Sequence, residues 1–291
     1  MNTEHITIDI SSKNIVELTF LPDDIEKLHC YFNKLPSLPV LPQNLLELSC
    51  CFNKLTNLPH LPSNLQHLYC SNNRLTSLPV LPPNLKSMRC SGNRLTSLPM
   101  LPLNLEILIC FVNELTHLPP LPPNLQELDC FSNRFTFFPM LPTNLLILSC
   151  ANNQLTYLPP LPPSLEKLYC SNNQLTYLPP LPPSLQHLYC SNNQLTYLPP
   201  LPENLEGFEF FNNPIFEIIS DLNSSDTAIK KHIIILNKFR YLFYILKLKK
   251  QFRKLLWENI RHPRIMRKYH PNHLVQNLSE DDDLDTFLTN W

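Results

Sequence analysis

The stretch LPPSLQHLYCSNNQLTYLPP, residues 181–200, is one unit of a chain that copies itself. The copy at 161–180 differs only in carrying Glu166 for Gln186 and Lys167 for His187, and a block of the same length starts at Leu21 and recurs to Leu201. Ten registers of twenty residues therefore run from 21 to 220. A fixed period of this kind, carrying L-x-x-L-x-C-x-x-N-x-L-x-x-L-P, signals a solenoid and overrides residue-by-residue assignment of secondary structure. The expected fold is a β-rich solenoid. It has a parallel, concave β-sheet, an extended polyproline-like convex side and a C-terminal α-helical segment.

Within the 181 copy, Leu188 and Cys190 alternate with a period of two, which puts them inward on a short strand beside Leu185. Gln186, His187, Tyr189 and Ser191 then point outward. Asn193 recurs at 33, 53, 73, 93, 113, 133, 153, 173 and 213. There its amide can pair with backbone groups that the turning chain would otherwise bury unsatisfied.

One repeat buries about four leucine-class side chains, worth roughly 1.5 to 3 kcal/mol each. Ordering its twenty residues costs about 1 to 2 kcal/mol apiece. A single repeat cannot fold, so stability must come from stacking and both ends need closure. Thirty-one prolines against two glycines sit mostly in the L-P-x-L-P part, where a fixed φ and a missing N–H favour an extended return over a helix. The expected organisation is a partial capping repeat at 1–20, the array at 21–220, a basic helical segment at 221–278 and an acidic tail at 279–291. In the cap, Ile8 and Ile10 align with Leu28 and Cys30.

Nine of the ten cysteines, from Cys30 to Cys190 at intervals of twenty, fall in one inward column. Free cysteine behaves there as a small buried hydrophobe. A row of side chains pointing the same way suits neither the dihedral of a disulfide nor a tetrahedral metal. Cys51 alone falls in an outward column, and it is the one thiol expected to react.

The outward column that follows each inward leucine reads His29, Ser49, Tyr69, Arg89, Ile109, Asp129, Ser149, Tyr169, Tyr189, Glu209. A variable surface sits on a constant frame. Near its centre Ile107, Ile109, Phe111, Val112, Phe131, Leu146 and Ile147 turn apolar together, flanked by Arg89 and Asp129. These nine residues are the expected partner-binding site, since a contiguous apolar patch often marks a contact. The competing reading is drift in columns under little constraint.

Residues 1–220 hold 10 basic and 16 acidic side chains, and 221–291 hold 13 and 8. After the array, Ile235, Phe239, Leu242, Leu246, Phe252, Leu256 and Ile260 recur at helical spacing, which predicts a helix over about 227–260, capped by Ser224, Ser225 or Asp226. Its apolar face is expected to pack on the last layer of the array, around Leu205, Phe208 and Ile215. Its basic positions, interleaved with Tyr241, Phe243, Tyr244 and Trp257, suit a membrane surface or nucleic acid as an alternative.

The L-P-x-L-P-x-x-L-x-x-L frame over about 21–213 resembles the proline-flanked leucine-rich repeats of bacterial effectors that enter host cells, some of which carry a ubiquitin-ligase domain with a catalytic cysteine after the repeats. This chain has no cysteine after Cys190. The effectors usually place valine where the cysteine column stands, and they begin with a helical cap that is missing here. The chain also resembles leucine-rich repeat proteins of giant DNA viruses of amoebae, mimivirus being the type, through the stretch LLWENIRHPRIMRKYHPNHL at 255–274. The resemblance implies a protein partner, in a host cell if the source is viral.

No Ser-His-Asp set, phosphate-cradling glycine loop or carboxylate pair stands out. His262, His270 and His273 lack metal-ligand spacing. The expectation is a non-enzymatic interaction scaffold that needs no cofactor, metal or small-molecule substrate. The start, MNTEHITIDISSK, lacks the pattern of a signal peptide and no run of eighteen apolar residues is free of charge, so the expected location is intracellular, in the cytoplasm.

Overall fold

The computed structural model describes residues 6–219, 233–238, 249–251, 253, 254 and 258. Eleven strands of three residues follow one another: β1 (Thr7–Asp9), β2 (Lys27–His29), β3 (Glu47–Ser49), β4 (His67–Tyr69), β5 (Ser87–Arg89), β6 (Ile107–Ile109), β7 (Glu127–Asp129), β8 (Ile147–Ser149), β9 (Lys167–Tyr169), β10 (His187–Tyr189) and β11 (Gly207–Glu209). They form one parallel sheet in chain order. Each residue pairs with the one twenty positions on, as in Leu28↔Leu48 and Leu108↔Leu128. This is the solenoid expected from the period. The first strand also keeps the expected alignment, with Ile8 opposite Leu28.

The strands are short because only three residues separate the bends at either end, and the middle one carries the inward side chain. Leu48, Leu68, Met88 and Leu108 occupy that place and are fully buried, as are the preceding Leu45 and Leu65 and the following Cys50 and Cys70. After the cysteine the chain turns through a residue with positive φ at every repeat: Phe32, Phe52, Asn72, Gly92, Val112, Ser132, Asn152, Asn172, Asn192 and Asn212. Asn and Gly tolerate this left-handed conformation, so their recurrence in the column was its signal in the sequence.

The asparagine that ends each strand reaches across two repeats. Asn113 donates through Nδ2 to the carbonyls of Cys90 and Cys110, both at 3.1 Å, while its Oδ1 accepts the Leu95 N–H at 3.0 Å. Asn33 to Asn213 repeat the pattern, for example Asn173 with Cys150 (3.0 Å) and Cys170 (3.1 Å). A second column, not singled out from the sequence, does similar work on the return side. Asn84 donates to the Ser63 carbonyl at 3.2 Å and Asn104 to that of Pro83 at 3.2 Å, and Ser184 replaces the amide with a hydroxyl 2.7 Å from the Pro163 carbonyl. No helix or strand forms on the return within the array. Each return instead closes a turn such as Leu85 N–H to the Pro82 carbonyl, 3.2 Å.

At the end of the array the structure departs from expectation. The chain turns helical at once, as α1 (Pro214–Ile219). Elsewhere the residue after the asparagine gives its N–H to the previous repeat, as Gln194 does to the Leu175 carbonyl at 2.9 Å. Pro214 has no N–H to give. Ile215 takes over, bonding the Leu195 carbonyl at 2.9 Å, and the fixed φ of Pro214 suits the first turn of a helix. Phe208 stacks on Phe210 with centroids 4.8 Å apart, and Phe210 meets Phe216 edge-on at 5.4 Å.

The chain divides into two units, Met1–Ile233 and Ile234–Trp291. In the expected helix over 227–260, residues 233–238, 249–251, 253 and 254 are helical. Ile235, expected on the packed face, is 47% exposed, and Ile233 is the buried one at 2%. Phe239, Leu242, Leu246, Phe252, Leu256, Ile260, the capping Ser224, Ser225 and Asp226, the aromatic Tyr241, Phe243, Tyr244 and Trp257, the three late histidines and the acidic tail lie outside the described residues.

Two outcomes follow from the packing. Asn133→Ala orphans the Leu115 N–H, which Asn133 accepts at 3.1 Å, whereas the Cys110 and Cys130 carbonyls keep bonds from Asn113 and Asn153. The expected loss in a urea melt is therefore about 2 kcal/mol, the cost of one unsatisfied buried amide. Asn133→Asp loses more, because a carboxylate faces two carbonyls with nothing to donate. The second outcome concerns alkali. Burial pushes the Cys90 and Cys170 thiols up to about 12. Between pH 9 and 12 an unfolded thiol gives up its proton and a folded one keeps it, so stability present below pH 9 falls as pH rises through that window. Cys90→Val with Cys170→Val should lessen the fall in melting temperature between pH 9 and 12, as read by circular dichroism. An unchanged slope would assign the alkaline loss to other groups.

Candidate binding surface

The solvent face of the sheet is built by the residues that flank each inward side chain. Register sets who neighbours whom: Arg89↔Ile109↔Asp129 form one row, and Ser87↔Ile107↔Glu127↔Ile147 another. Ile107, Ile109 and Phe111 alternate along β6 and its extension. Phe131 sits beside Phe111, since the next residue, Val112, gives its N–H to the Phe131 carbonyl at 2.9 Å. These four residues are brought together. Leu146 and Ile147 are not, because β7 with Glu127 and Asp129 stands between them and β6.

Two of the outward assignments need correction. Ile109 lies on the solvent face yet is only 9% exposed. The register places it between Arg89 and Asp129 across the sheet, with Ile107 and Phe111 two residues away along the strand, and it forms a nearly enclosed floor of the face. Ser191 is likewise buried at 2%. Ile107, Phe111, Phe131, Leu146 and Ile147 are half-buried, while Val112 is 46% exposed at φ 55°. Arg89 is exposed and its guanidinium lies 5.8 Å from the centroid of the Tyr69 ring, a cation–π distance. The Asp129 carboxylate accepts the Phe131 N–H at 3.2 Å.

Toward either end the face is aromatic and polar, a feature the sequence reading passed over. Tyr169 and Tyr189 stack at 5.2 Å, His187 lies over Tyr189 at 6.4 Å, and His67 over Tyr69 at 6.2 Å. Gly207 is the signal for the first group. A Cβ there would lie 2.6 Å from His187 Nδ1 and 2.9 Å from the Tyr189 hydroxyl, so the missing side chain makes room for both. Glu47 faces His29 at 3.2 Å and Lys27 at 3.9 Å. Among the described residues no group of three His, Cys, Asp or Glu side chains comes together to hold a metal, and no helix is long and apolar enough to cross a membrane.

The nine column cysteines are buried and all ten are unpaired. Cys51 is the half-buried exception. Burial raises its thiol above the ordinary range, with hydrogen bonding around Ser71 and the more distant Arg89 charge pulling the other way. It is reachable without being activated.

Two family models match: "Leucine Rich repeats (2 copies)" over residues 143–183 and 163–203, and "Leucine Rich Repeat" over 64–83. The chain is a leucine-rich repeat protein. Among solved structures the array is similar to YopM from Yersinia enterocolitica WA-314, at 38% identity and TM-score 0.62, over 68% of this chain and 49% of that one. This leucine-rich repeat chain thus spans about half the length of the YopM chain it matches. Its fold is also similar to a chain of the octameric complex of latrophilin 3, Unc5D and the leucine-rich repeats of FLRT2, at 24% identity and TM-score 0.56, over 70% of this chain and 73% of that one. A chain of the Drosophila Toll–Spatzle complex matches at 21% and 0.51, over 73% of this chain and 38% of that one. No curated protein matches.

Thiol titration of the native protein should label Cys51 first, more slowly than a free cysteine at neutral pH, and should leave the column protected until denaturant is added. Rapid labelling of several thiols under native conditions would contradict the burial of the column.

Proposed function

We propose that the protein is a non-enzymatic interaction scaffold that binds a partner protein on the concave, strand-lined face of its array. The observation carrying this reading is the in-register group of Ile107, Phe111 and Phe131 over the shielded floor of Ile109, with Arg89 on one side and Asp129 on the other. An apolar centre with charged flanks is the usual anatomy of a protein contact. Leucine-rich repeat neighbours in the latrophilin 3–Unc5D–FLRT2 and Toll–Spatzle structures are found in protein complexes. That support is by analogy of fold. Val112, Leu146 and Ile147 join the site as its margin, residues 1–20 close the first end of the array, and if the source is viral, as the likeness of 255–274 implies, the partner is a host-cell protein. The alternative contact with membrane or nucleic acid through 227–260 draws from the described residues only the exposed Lys238, Lys249, Lys250, Arg253 and Lys254.

The test uses half-buried positions, because Asp at Ile109 would put a charge into the floor and unfold the face. Phe111→Asp with Phe131→Asp should leave the melting temperature within a few degrees of wild type. A protein recovered from native-cell extract by the full chain should be lost with this variant, and the purified pair should show at least a tenfold weaker affinity by calorimetry. Equal affinity for the double variant would remove the centre of the face from the binding site.

A further inference from the structure

Ten basic residues lie in the first 220, and five of them share one column. Lys34, Lys54, Arg74 and Arg94 occupy it in four consecutive repeats, and all four are exposed. The residue before each of them is the stapling asparagine, so the backbone positions are fixed. Lys54 N–H bonds the Leu35 carbonyl at 3.0 Å, Arg74 that of Leu55 at 2.9 Å, and Arg94 that of Leu75 at 2.9 Å. The four cations are therefore set one strand spacing, about 4.8 Å, apart at their backbones.

Among the described residues none of the four makes an ion pair, and Glu114, the next residue in their column, is held by Arg134. Ion pairs do form elsewhere, between Lys27, His29 and Glu47, between Arg134 and Glu114, and between Lys254 and Glu258. Arg134, further along the same column, has its carboxylate at 3.0 Å, and the four have none. Residues 48–105 contain five basic and no acidic side chains, whereas 106–219 contain nine acidic and two basic. Like charges held side by side repel, and a row of them without ion pairs favours an anion.

A second, independent feature adjoins the row. Two residues before Lys34 and Lys54 stand Phe32 and Phe52, stacked with centroids 4.3 Å apart and planes 11° from parallel. Both are exposed, at 54% and 44%, and both hold φ at 53°. Most later repeats place Asn or Gly in this conformation, Val112 and Ser132 being the exceptions, and a bulky side chain there is a backbone outlier of the kind that marks functional positions. Tyr31 meets Phe32 edge-on at 5.9 Å. On the other side the stack stops. The next residue in the column, Asn72, leans toward Gly92, where a Cβ would meet its Oδ1, so it does not cover Phe52. One aromatic face is left open between Lys54 and Arg74.

We propose that this edge of the array binds single-stranded nucleic acid, with phosphates along Lys34, Lys54, Arg74 and Arg94 and an unpaired base on the open face of the Phe32–Phe52 stack. An acidic polypeptide would use the cations and leave the aromatic stack unexplained. A single strand uses both, since a cationic track for the backbone and an aromatic platform for the bases is how such strands are held without sequence preference.

Fluorescence anisotropy with a labelled twelve-nucleotide oligothymidylate and the full-length protein tests this. Four phosphate contacts to a single strand predict a log–log salt slope of about −3 between about 50 and 200 mM. Lys54→Glu with Arg74→Glu should weaken binding at least tenfold and flatten the slope. Phe52→Asn installs the residue that later repeats carry at this φ, so folding is preserved; it should weaken binding about tenfold with the slope unchanged. Unaltered affinity in both variants would assign any binding to other basic residues and overturn the proposal. It is equally overturned if polyglutamate of matched charge competes as well as unlabelled oligothymidylate, which identifies an acidic polypeptide ligand, or if no anisotropy change occurs at 50 mM salt.

Discussion

Everything in this molecule depends on one side chain per repeat that can both give and take hydrogen bonds across the boundary with its neighbour. From Asn53 to Asn193 each stapling asparagine donates to its own and the previous cysteine carbonyl, and accepts an N–H from the previous repeat, with Ile10 and Phe210 standing in for cysteine at the ends. Each cysteine carbonyl is in turn met by two amides, Cys110 by those of Asn113 and Asn133. The bends that follow three-residue strands would otherwise bury unpaired polar groups. Because the bonds run between repeats, a repeat is satisfied only when stacked, which is why twenty residues that cannot fold alone fold in a row.

That constraint also explains where variation is permitted. Inward positions accept leucine, cysteine, methionine or phenylalanine of suitable volume, as with Met88 and Phe135, both fully buried. The asparagine column accepts no change from 33 to 213. Outward positions answer only to their neighbours on the same face, and there the chain places an apolar group at its centre, stacked tyrosines toward one end and exposed cations toward the other. Electrostatic character is uneven along the array: residues 48–105 carry five basic side chains and no acidic one, and 106–219 carry nine acidic and two basic. A partner lying along the face therefore meets a direction as well as a shape.

Strain sits in the same places. The left-handed turn after each strand is satisfied cheaply by Asn or Gly, yet Phe32, Phe52 and Val112 hold it with bulky or β-branched side chains. Phe32 and Phe52 are next to the cation row and Val112 is next to the apolar centre. The two surfaces proposed to bind are the two where the turn departs from its easiest residue.

The period, the inward set, the asparagine column and the buried free thiols were legible in the amino-acid sequence because each depends only on spacing within a repeat and on what twenty residues can bury. The first strand, too, was visible as a worn copy through Ile8 and Ile10. What needed the tertiary structure were properties of neighbours. Ile109 is outward by alternation yet nearly buried where it sits between adjacent strands. Leu146 and Ile147 look continuous with Ile107 until β7 is seen between them. Pro214 stands out in the sequence only as a break after Asn213, and the missing N–H toward the Leu195 carbonyl, taken over by Ile215, shows why the chain turns helical there. Alternation along one strand decides which way a side chain points; exposure, ion pairing and stacking are decided by residues twenty positions away.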